Sequence, residues 1–333
     1  MSFSKLGQSL TAKEILDLIQ DDLRKVEREI GVESMASGTI VSTISQYLNG
    51  NGGKRLRPIL LLLSAKLVGD TNPCAVHLAA VVEMIHTATL VHDDIIDVAQ
   101  TRRGKPSPNI VWGNHTSVLA GDWLYMQAFQ MALRERNFHV LDILIALTQS
   151  MVEGELLQLD RIGKLNVSEA DCMELIDRKT AGLFSACARL GAVAGGGSDD
   201  QELKLADFAW NLGMAFQLID DVLDFAAREK VLGKPVGGDL REGKVTLPVI
   251  YALEKCDSND RCVIERVINE RSYANATFES VLDILERHGA LDRAREKAGS
   301  FADRARANIH DFPDSAFQRA LATVTELVTD REF

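Results

Sequence analysis

Two aspartate triplets with the spacing D-D-x-x-D are the residues of this sequence best suited to chemistry. They are Asp93, Asp94, Asp97, Asp220, Asp221 and Asp224. On a helix, the first and last aspartates of each triplet lie one turn apart and share a face. Like charges so placed repel each other and destabilise the helix. A bound cation would offset that loss of stability. Oxygen ligands without an accompanying cysteine favour Mg²⁺ or Mn²⁺ over Zn²⁺, and protein-bound Mg²⁺ commonly binds substrate phosphates as well.

The same acidic residues have two plainer interpretations. A single D-D-x-x-D is often a solvated helix end, but two copies that each follow an apolar segment favour a functional site. Glu83 and His86 form an E-x-x-H, which is typical of di-iron carboxylate bundles. That architecture requires a second E-x-x-H, and the sequence has none, so a di-iron site is disfavoured.

Basic residues in glycine-rich or helix-start contexts predict an anionic substrate. The segment Gly52–Pro58 has the sequence GGKRLRP and leads into a predicted helix, whose N-terminus favours anion binding beside Lys54 and Arg57. It lacks the pattern G-x-x-x-x-G-K-[ST], so a P-loop nucleotide site is not supported. Further basic residues follow the first triplet, lie mid-helix or bracket the stretch LGKPVGGDLREGKVTLP: Arg102, Arg103, Lys179, Lys234 and Lys244.

Long helices are predicted to position these side chains. The segment AAVVEMIHTATLVHDDIIDVA is mostly apolar and contains no helix breaker, so it predicts a long buried helix. A second such helix is predicted over LADFAWNLGMAFQLIDDVLDF, and an aspartate triplet lies at the end of each. Thr71 and Asn72 before Pro73 predict the start of the first helix. Other helices are predicted at 11–30, 34–48, 58–69, 115–135, 137–160, 168–194, 245–256, 260–271, 276–288, 290–309 and 314–330, with loops at 49–53, 103–108, 195–198 and 233–238. The pattern predicts a single all-α domain over residues 1–333, a bundle of long helices.

The composition disfavours some binding partners and predicts the cellular compartment. The formal net charge of −11 argues against broad binding to nucleic acid or anionic membranes. The five cysteines include no C-x-x-C pair and are interpreted as reduced thiols of a cytoplasmic protein. The N-terminal residues MSFSKLGQSL have no apolar signal core, and no apolar run is long enough to predict a transmembrane segment.

Several motifs together resemble the trans-isoprenyl diphosphate synthases. In family order the sequence contains GGKRLRP, H-x(5)-HDDIID-x(4)-RRG, EGELLQL, KT, QLIDDVLDF and GKPVGGDLREGKVTLP. The similarity is close over residues 40–250 and extends by helical character over most of the rest. It implies an isoprenoid synthase fold with a central apolar cavity, and a homodimer that condenses isopentenyl diphosphate with an allylic diphosphate.

The resemblance also implies roles for individual residues. Asp93, Asp97 and Asp220 would bind about three Mg²⁺ ions per active site, which Mn²⁺ can replace, with support from Asp94, Asp221 and Asp224. The expected isopentenyl diphosphate site comprises Lys54, Arg57, His86 and Arg103. The residues expected to hold the allylic diphosphate are Arg102, Lys179, Lys234 and Lys244. Thr180 and Gln217 are similar to the residues that face the developing carbocation, whereas the roles of Glu155 and Gln158 are less clear.

The product is expected to be long. In this family the residues four and five before the first aspartate often limit the chain pocket, and here they are Thr89 and Ala88. Both are small, and Met84, Ile85 and Val81 would lie one and two turns further back. Each helical turn that is opened lengthens the pocket by about 5.4 Å, so a hexaprenyl to decaprenyl product is favoured. A floor residue elsewhere, within 137–150, stays an alternative.

Three other functions are weighed against this one. The first is a shorter-chain farnesyl or geranylgeranyl diphosphate synthase, whose members commonly carry a bulky aromatic residue where this sequence has Ala88 and Thr89. A class I terpene cyclase has one similar aspartate motif, but it requires neither the second DDVLD nor the GGKRLRP loop. A non-catalytic regulatory subunit of a synthase typically lacks one triplet, and this sequence keeps both.

Overall fold

The predicted all-α class is confirmed. The computed structural model describes residues 10–35, 39–49, 55–102, 104–226 and 236–329. The helices of these residues are α1 (Ala12–Asp17), α2 (Gln20–Met35), α3 (Thr39–Asn49), α4 (Leu56–Val68), α5 (Pro73–Ile96), α6 (Pro108–Trp112), α7 (Asn114–Arg134), α8 (Phe138–Arg161), α9 (Glu169–Ile176), α10 (Gly182–Gly195), α11 (Asp199–Ala226), α12 (Gly238–Arg241), α13 (Leu247–Leu253), α14 (Ser258–Glu270), α15 (Phe278–Arg287), α16 (Ala290–His310) and α17 (Ala316–Thr329).

The chain divides into two compact units. The first unit takes its described residues from Met1–Ala146, Phe184–Asp207 and Asn308–Val324. The second unit takes them from Leu147–Leu183, Phe208–Ala307 and Thr325–Phe333. The prediction of one domain over the whole chain stays a prediction.

Helix α5 forms the centre of the first unit, where it packs against α2, α4 and α7. It begins as predicted, because the Asn72 side chain caps it by accepting a hydrogen bond from the Ala75 N–H at 3.0 Å, and Pro73 occupies the first turn. Among the described residues it is the one helix long and apolar enough to cross a membrane. However, 67% of its most apolar window is buried inside the protein, as expected of a core helix.

The second unit has its own apolar core. Buried side chains from α9, α11 and the helices α13 to α16 form a single cluster. Phe225 near the end of α11 is fully buried in it and stacks on Phe278 of α15, with ring centroids 6.5 Å apart. Helix α13 packs against α9 and α15, and α14 packs against α12 and α15. This core supports the part of α11 that carries the second aspartate triplet.

Three predicted segments differ from the structure. The helix predicted at 11–30 is broken at Leu18 and Ile19, and its second part continues past Gly31 to Met35. The loop predicted at 103–108 instead contains β2 (Lys105–Pro106), which pairs antiparallel with β1 (Thr101–Arg102) just before it, and ends at Pro108, the first residue of α6. Gly104, which precedes β2, has φ +75°, a backbone conformation that glycine adopts readily.

The third difference is inside the predicted helix 168–194. A π-helical turn, Asp177–Ala181, separates α9 from α10. Such turns insert one extra residue into a helix and frequently mark functional sites. The turn contains Lys179 and Thr180, both of which the sequence had placed on a regular helix.

Candidate active site

The first aspartate triplet closes helix α5. Asp93 and Asp97 are half-exposed, whereas Asp94 is fully buried. The Asp97 N–H donates to the Asp93 carbonyl at 2.8 Å as the helix ends. Val98 follows with φ +52°, a conformation that a β-branched residue rarely adopts. Such backbone strain is concentrated at functional sites, and no sequence motif predicts it at Val98.

Asp94 is paired with Arg102 of the hairpin. The Arg102 Nε–H donates to Asp94 Oδ1 at 2.7 Å. Burial raises the pKa of Asp94, and the Arg102 charge opposes that shift. The other carboxylate oxygen, Oδ2, is buried without a hydrogen-bond partner among the described residues. The structure therefore joins Arg102, predicted to bind the allylic diphosphate, to a member of the first triplet.

A small pocket in the first unit brings two predicted substrate-binding residues together. It is lined by Leu48, Arg55, Glu83, His86, Thr87, Leu90 and Arg102. Arg55 and Glu83 were not predicted as site residues, and they form an ion pair at 2.7 Å. Arg57 lies nearby in sequence at the start of α4, with its guanidinium 5.4 Å from the centroid of the Phe184 ring. Lys54 and Arg103 lie outside the described residues.

The second aspartate triplet lies near the end of α11 in the second unit. Asp220 is half-exposed, and Asp221 and Asp224 are buried. Asp224 Oδ2 accepts a hydrogen bond from the Asp239 N–H at 3.0 Å, and its carbonyl accepts one from the Gly237 N–H at 2.7 Å. Burial raises the pKa of Asp221 well above its usual range, and the nearby Asp239 adds to the shift. The triplet is thus tied to the segment that leads into α12.

A chain of hydrogen bonds connects three predicted site residues of the second unit. The Thr180 hydroxyl donates to Gln217 Oε1 at 2.9 Å, and Gln217 Nε2–H donates to Asp221 Oδ1 at 2.9 Å. The π-helical turn presents Thr180 for this contact, and the Trp210 indole N–H holds the turn through Asp177 Oδ1 at 2.6 Å. Trp210 is a contributor that the motifs did not reveal.

Lys179 points to carboxylate and amide groups of α8. It is ion-paired with Glu155 and donates to Gln158 Oε1 at 3.1 Å. Gly154 permits this close approach, because a Cβ there would lie 2.8 Å from Arg178 Cβ and 3.1 Å from Lys179 Cγ. Glu155 and Gln158, whose roles the sequence left open, are therefore direct partners of Lys179.

Lys244 lies on a loop that other residues of the second unit hold. Its N–H donates to the Asp239 carbonyl at 2.9 Å, and its ammonium pairs with Glu242 at 2.8 Å. Arg271 donates to the Glu242 carbonyl, which fixes the loop from outside the motif. Lys234 lies outside the described residues.

The carboxylates fit a hard cation that keeps part of its coordination shell for other ligands. All the acidic donors are oxygen atoms, as Mg²⁺ requires. Within the described ranges, no three His, Cys, Asp or Glu side chains form a group that would hold a metal by itself. Mg²⁺ commonly uses one or two carboxylates, waters and substrate phosphates, so this arrangement suits it.

Comparisons with known proteins point to one family. The family model described as polyprenyl synthetase matches residues 39–285. The octaprenyl diphosphate synthase of Haemophilus influenzae is 36% identical, covering 97% of this chain and 98% of its own. The geranylgeranyl diphosphate synthase of Sulfolobus acidocaldarius is 37% identical, covering 81% and 84%. A polyprenyl synthase of Caulobacter crescentus, solved in complex with calcium and isoprenyl diphosphate, superposes with a TM-score of 0.92 at 37% identity, covering 98% and 99%.

Proposed function

The chain belongs to the polyprenyl synthetase family, and we propose that this trans-prenyltransferase condenses isopentenyl diphosphate with an allylic diphosphate to a long-chain polyprenyl diphosphate. The resident cation is proposed to be Mg²⁺, bound with the substrate diphosphate. The calcium and isoprenyl diphosphate of the C. crescentus complex support a divalent metal beside such a ligand. The hard oxygen donors of this chain favour Mg²⁺ as that metal.

The observation that carries the proposal is how the two triplets divide between exposed and buried carboxylates. The half-exposed members are Asp93, Asp97 and Asp220. The buried members are Asp94, Asp221 and Asp224. Each buried member is held by a protein group: a guanidinium, a side-chain amide or a backbone N–H. We infer that the half-exposed carboxylates are the metal ligands and that the buried ones position them.

When bound, Mg²⁺ would neutralise charge that grows on the departing diphosphate. Lys179 and Lys244, with Arg102, are proposed to hold the allylic diphosphate and share that task. Arg57 and His86 are proposed to bind isopentenyl diphosphate. Thr180 and Gln217 are proposed to present polar atoms toward the allylic cation that forms as its bond to diphosphate breaks. The double bond of isopentenyl diphosphate attacks this cation, and the adduct then loses a proton to the released diphosphate. The same binding roles for Lys54, Arg103 and Lys234 rest on the sequence alone.

A long product is proposed from the side chains of α5. Ala88 is fully buried and small, and Met84, one turn back, is only 1% exposed. The Thr89 hydroxyl donates to the His86 carbonyl at 2.8 Å, so its polar group is satisfied within the helix. No bulky aromatic side chain stands at either position to stop a growing chain. The similarity to an octaprenyl synthase supports this proposal, and the similarity to a geranylgeranyl synthase keeps the shorter product as its competitor.

The test is product analysis with the purified chain, Mg²⁺, isopentenyl diphosphate and farnesyl diphosphate. We expect a product in the hexaprenyl to decaprenyl range on reversed-phase chromatography. An end product of farnesyl or geranylgeranyl length would refute the long-chain proposal. Failure to form any product in the absence of another subunit would instead favour a regulatory role. Ala88→Phe should shorten the product if the pocket runs along α5.

The metal assignment is tested by Asp93→Ala and Asp220→Ala. Each variant should lose about two or more orders of magnitude in turnover, because charge stabilisation in the transition state is lost. Asp142→Ala, an exposed aspartate of α8, is the matched control and should keep full turnover. Circular dichroism verifies that the helices survive. Full activity of Asp93→Ala at saturating Mg²⁺ would refute the assignment.

A homodimer and a cytoplasmic location are also proposed. In support of a dimer, Leu119, Met126 and Leu133 of α7 recur every seven residues and are 68%, 67% and 47% exposed. An apolar row of this kind on a monomer surface marks an interaction site. Met126→Glu should convert the dimer to a monomer in light scattering. An unchanged mass would place the interface elsewhere or show that the wild type is already a monomer.

A further inference from the structure

Arg55 has a backbone conformation that its surroundings must hold in place. It lies immediately before α4 with φ 50° and ψ 32°, in the left-handed region that residues other than glycine rarely adopt. A residue keeps such a conformation only where neighbouring contacts over-determine it. Its carbonyl accepts the Ile59 N–H at 3.0 Å, the first backbone hydrogen bond of α4. The conformation of Arg55 thus sets where that helix begins.

The contacts that hold Arg55 come from two other helices. Its Nε–H and Nη2–H donate to the two carboxylate oxygens of Glu27 on α2, at 2.5 and 3.1 Å. Its Nη1–H donates to Glu83 Oε1 on α5 at 2.7 Å. The Arg55 side chain is 15% exposed and that of Glu83 is 7% exposed. Burial opposes the charge on Arg55, but the two carboxylates outweigh it, and the pKa of Arg55 lies above its ordinary value.

Both ends of this anchor lie beside residues of the proposed isopentenyl diphosphate site. Arg57 follows Arg55 by two positions, in the first turn of α4. His86 follows Glu83 by three positions, so the two share a face of α5 and line the same pocket as Arg55. Because the Arg55 guanidinium already binds two carboxylates, it is suited to hold α4 at a set distance from α2 and α5 rather than to bind a third anion.

We propose that Arg55 is a positioning residue, which ties the start of α4 to α2 and α5 and thereby places Arg57 against His86. This inference rests on the proposed function, because the two placed residues are those assigned to isopentenyl diphosphate. Glu27 and Glu83 are the other halves of the anchor. None of the three was predicted as a site residue from the sequence.

The test separates the two substrates kinetically. Arg55→Gln should raise the KM for isopentenyl diphosphate by about 10- to 100-fold, because a displacement of the binding groups by about 1 Å is enough for losses of that size. The KM for the allylic diphosphate should change by less than about twofold. Its proposed ligands Lys179 and Lys244 are not attached to this anchor, and Arg102, which lines the same pocket, is held by Asp94 rather than by Arg55. Arg24→Gln, which removes an exposed guanidinium paired with Asp21 on α2, is the matched control and should change neither KM.

Conservative variants guard against a simple folding defect. Glu27→Gln, whose side chain is 46% exposed, should fold and raise the KM for isopentenyl diphosphate by a smaller factor in the same direction. Arg55→Lys should recover only part of the loss, because an ammonium lacks the bidentate fork. In the double variant Arg55→Gln/Glu83→Gln, the KM for isopentenyl diphosphate should rise by less than the product of the two single-variant factors, because the two residues belong to one network. Equal increases in both KM values, or full recovery by lysine, would overturn the proposal.

Failure of the underlying function has a different signature. A wild-type chain that forms no prenyl product from isopentenyl diphosphate would remove the proposed function, whatever the variants do. Hydrogen exchange of the Ile59 amide tests the anchor without any substrate. Arg55→Gln should accelerate that exchange about tenfold or more relative to Arg24→Gln, because the first turn of α4 opens more often. Unchanged exchange, together with unchanged KM values, would show that Arg55 positions nothing.

Discussion

The Lys179 ammonium is ion-paired with Glu155, one helix away. The two side chains are 24% and 15% exposed, so solvent screens the pair only in part. The same ammonium donates to Gln158 Oε1 at 3.1 Å. An anionic diphosphate that binds Lys179 must therefore compete with a carboxylate. We infer that Glu155 limits how strongly Lys179 binds its proposed ligand.

Replacing Glu155 by glutamine tests this competition. Glu155→Gln keeps the size of the side chain and removes its charge, so the KM for the allylic diphosphate should fall by about three- to tenfold. The KM for isopentenyl diphosphate should stay constant. Glu153→Gln is the matched control, because Glu153 pairs with the neighbouring Arg178 instead. A rise in the allylic KM would mean that Glu155 itself contributes to the substrate site.

Gly154 sets how closely α8 approaches the π-helical turn. Gly154→Ala would place a Cβ 2.8 Å from Arg178 Cβ, so the turn must shift. We expect a loss of about 1–3 kcal/mol in the free energy of unfolding and a higher KM for the allylic diphosphate. In contrast, Gly299→Ala on α16 meets no atom within 4 Å and should leave stability unchanged or slightly higher. Equal denaturation midpoints for the two variants would contradict the predicted crowding.

Local signals in the sequence predicted the helices well. The start of α5 was predicted correctly from Asn72 and Pro73, because a helix cap depends on neighbours in the chain. The π-helical turn was not predicted. It depends on contacts distant in sequence, such as the hydrogen bond from Trp210 to Asp177, 33 residues apart. A periodic pattern carries no information about such a partner.

The sequence predicts which residues belong to the candidate site, but it does not predict which side chains form ion pairs or hydrogen bonds with them. The motifs supplied Lys179, Arg102 and the aspartates, whereas their partners are set by tertiary packing. Arg55 belongs to the motif GGKRLRP, yet each of its carboxylate partners is 28 residues away along the chain. Glu83 belongs to the E-x-x-H pattern, which suggests a di-iron ligand and carries no information about an ion pair with Arg55.

Glu33 makes the stability of the first unit sensitive to acid. Arg134 donates hydrogen bonds to the Glu33 carboxylate, one of them from Nη2–H to Oε2 at 3.1 Å, and these bonds lower the pKa of Glu33. The Gln127 Nε2–H donates to the same oxygen at 2.5 Å and adds to the effect. A carboxylate with a lowered pKa stabilises the fold above its unfolded pKa of about 4.3, and that contribution is lost as the pH falls through the folded value.

Glu33→Gln should therefore lower the free energy of unfolding at pH 7 by about 1–3 kcal/mol, the usual range for a charged hydrogen bond. The difference from wild type should begin to shrink below about pH 4, where Glu33 becomes protonated in the unfolded chain, and it should be lost as the pH falls through the lowered pKa of the folded state. Urea denaturation at several pH values measures both effects. Asp21→Asn, at an exposed position on the same helix, serves as control. A difference that stays constant down to pH 3 would show that the charge of Glu33 is not the cause.

The five cysteines should react with thiol reagents in the order of their exposure. Cys262 is exposed, whereas Cys187 and Cys172 are buried, and burial raises the pKa of both buried thiols, to about 12 for Cys187. Burial likewise raises the pKa of Cys74 and Cys256, which are half-buried. Because the thiolate is the nucleophile, one thiol per chain should react rapidly with an aromatic disulfide at pH 8, and Cys262→Ser should abolish that phase.

The two buried thiols should react only after unfolding in guanidinium, with mass spectrometry of alkylated peptides identifying each site. Cys172 belongs to the apolar core of the second unit, so its labelling rate reports how often that core opens. Labelling of Cys172 in native protein as fast as Cys262 would mean that the core opens far more readily than its packing implies. The guanidinium concentration at which Cys172 becomes reactive should be compared with the one at which the far-ultraviolet circular dichroism signal is lost. If the two coincide, Cys172 is exposed by cooperative unfolding rather than by local motion.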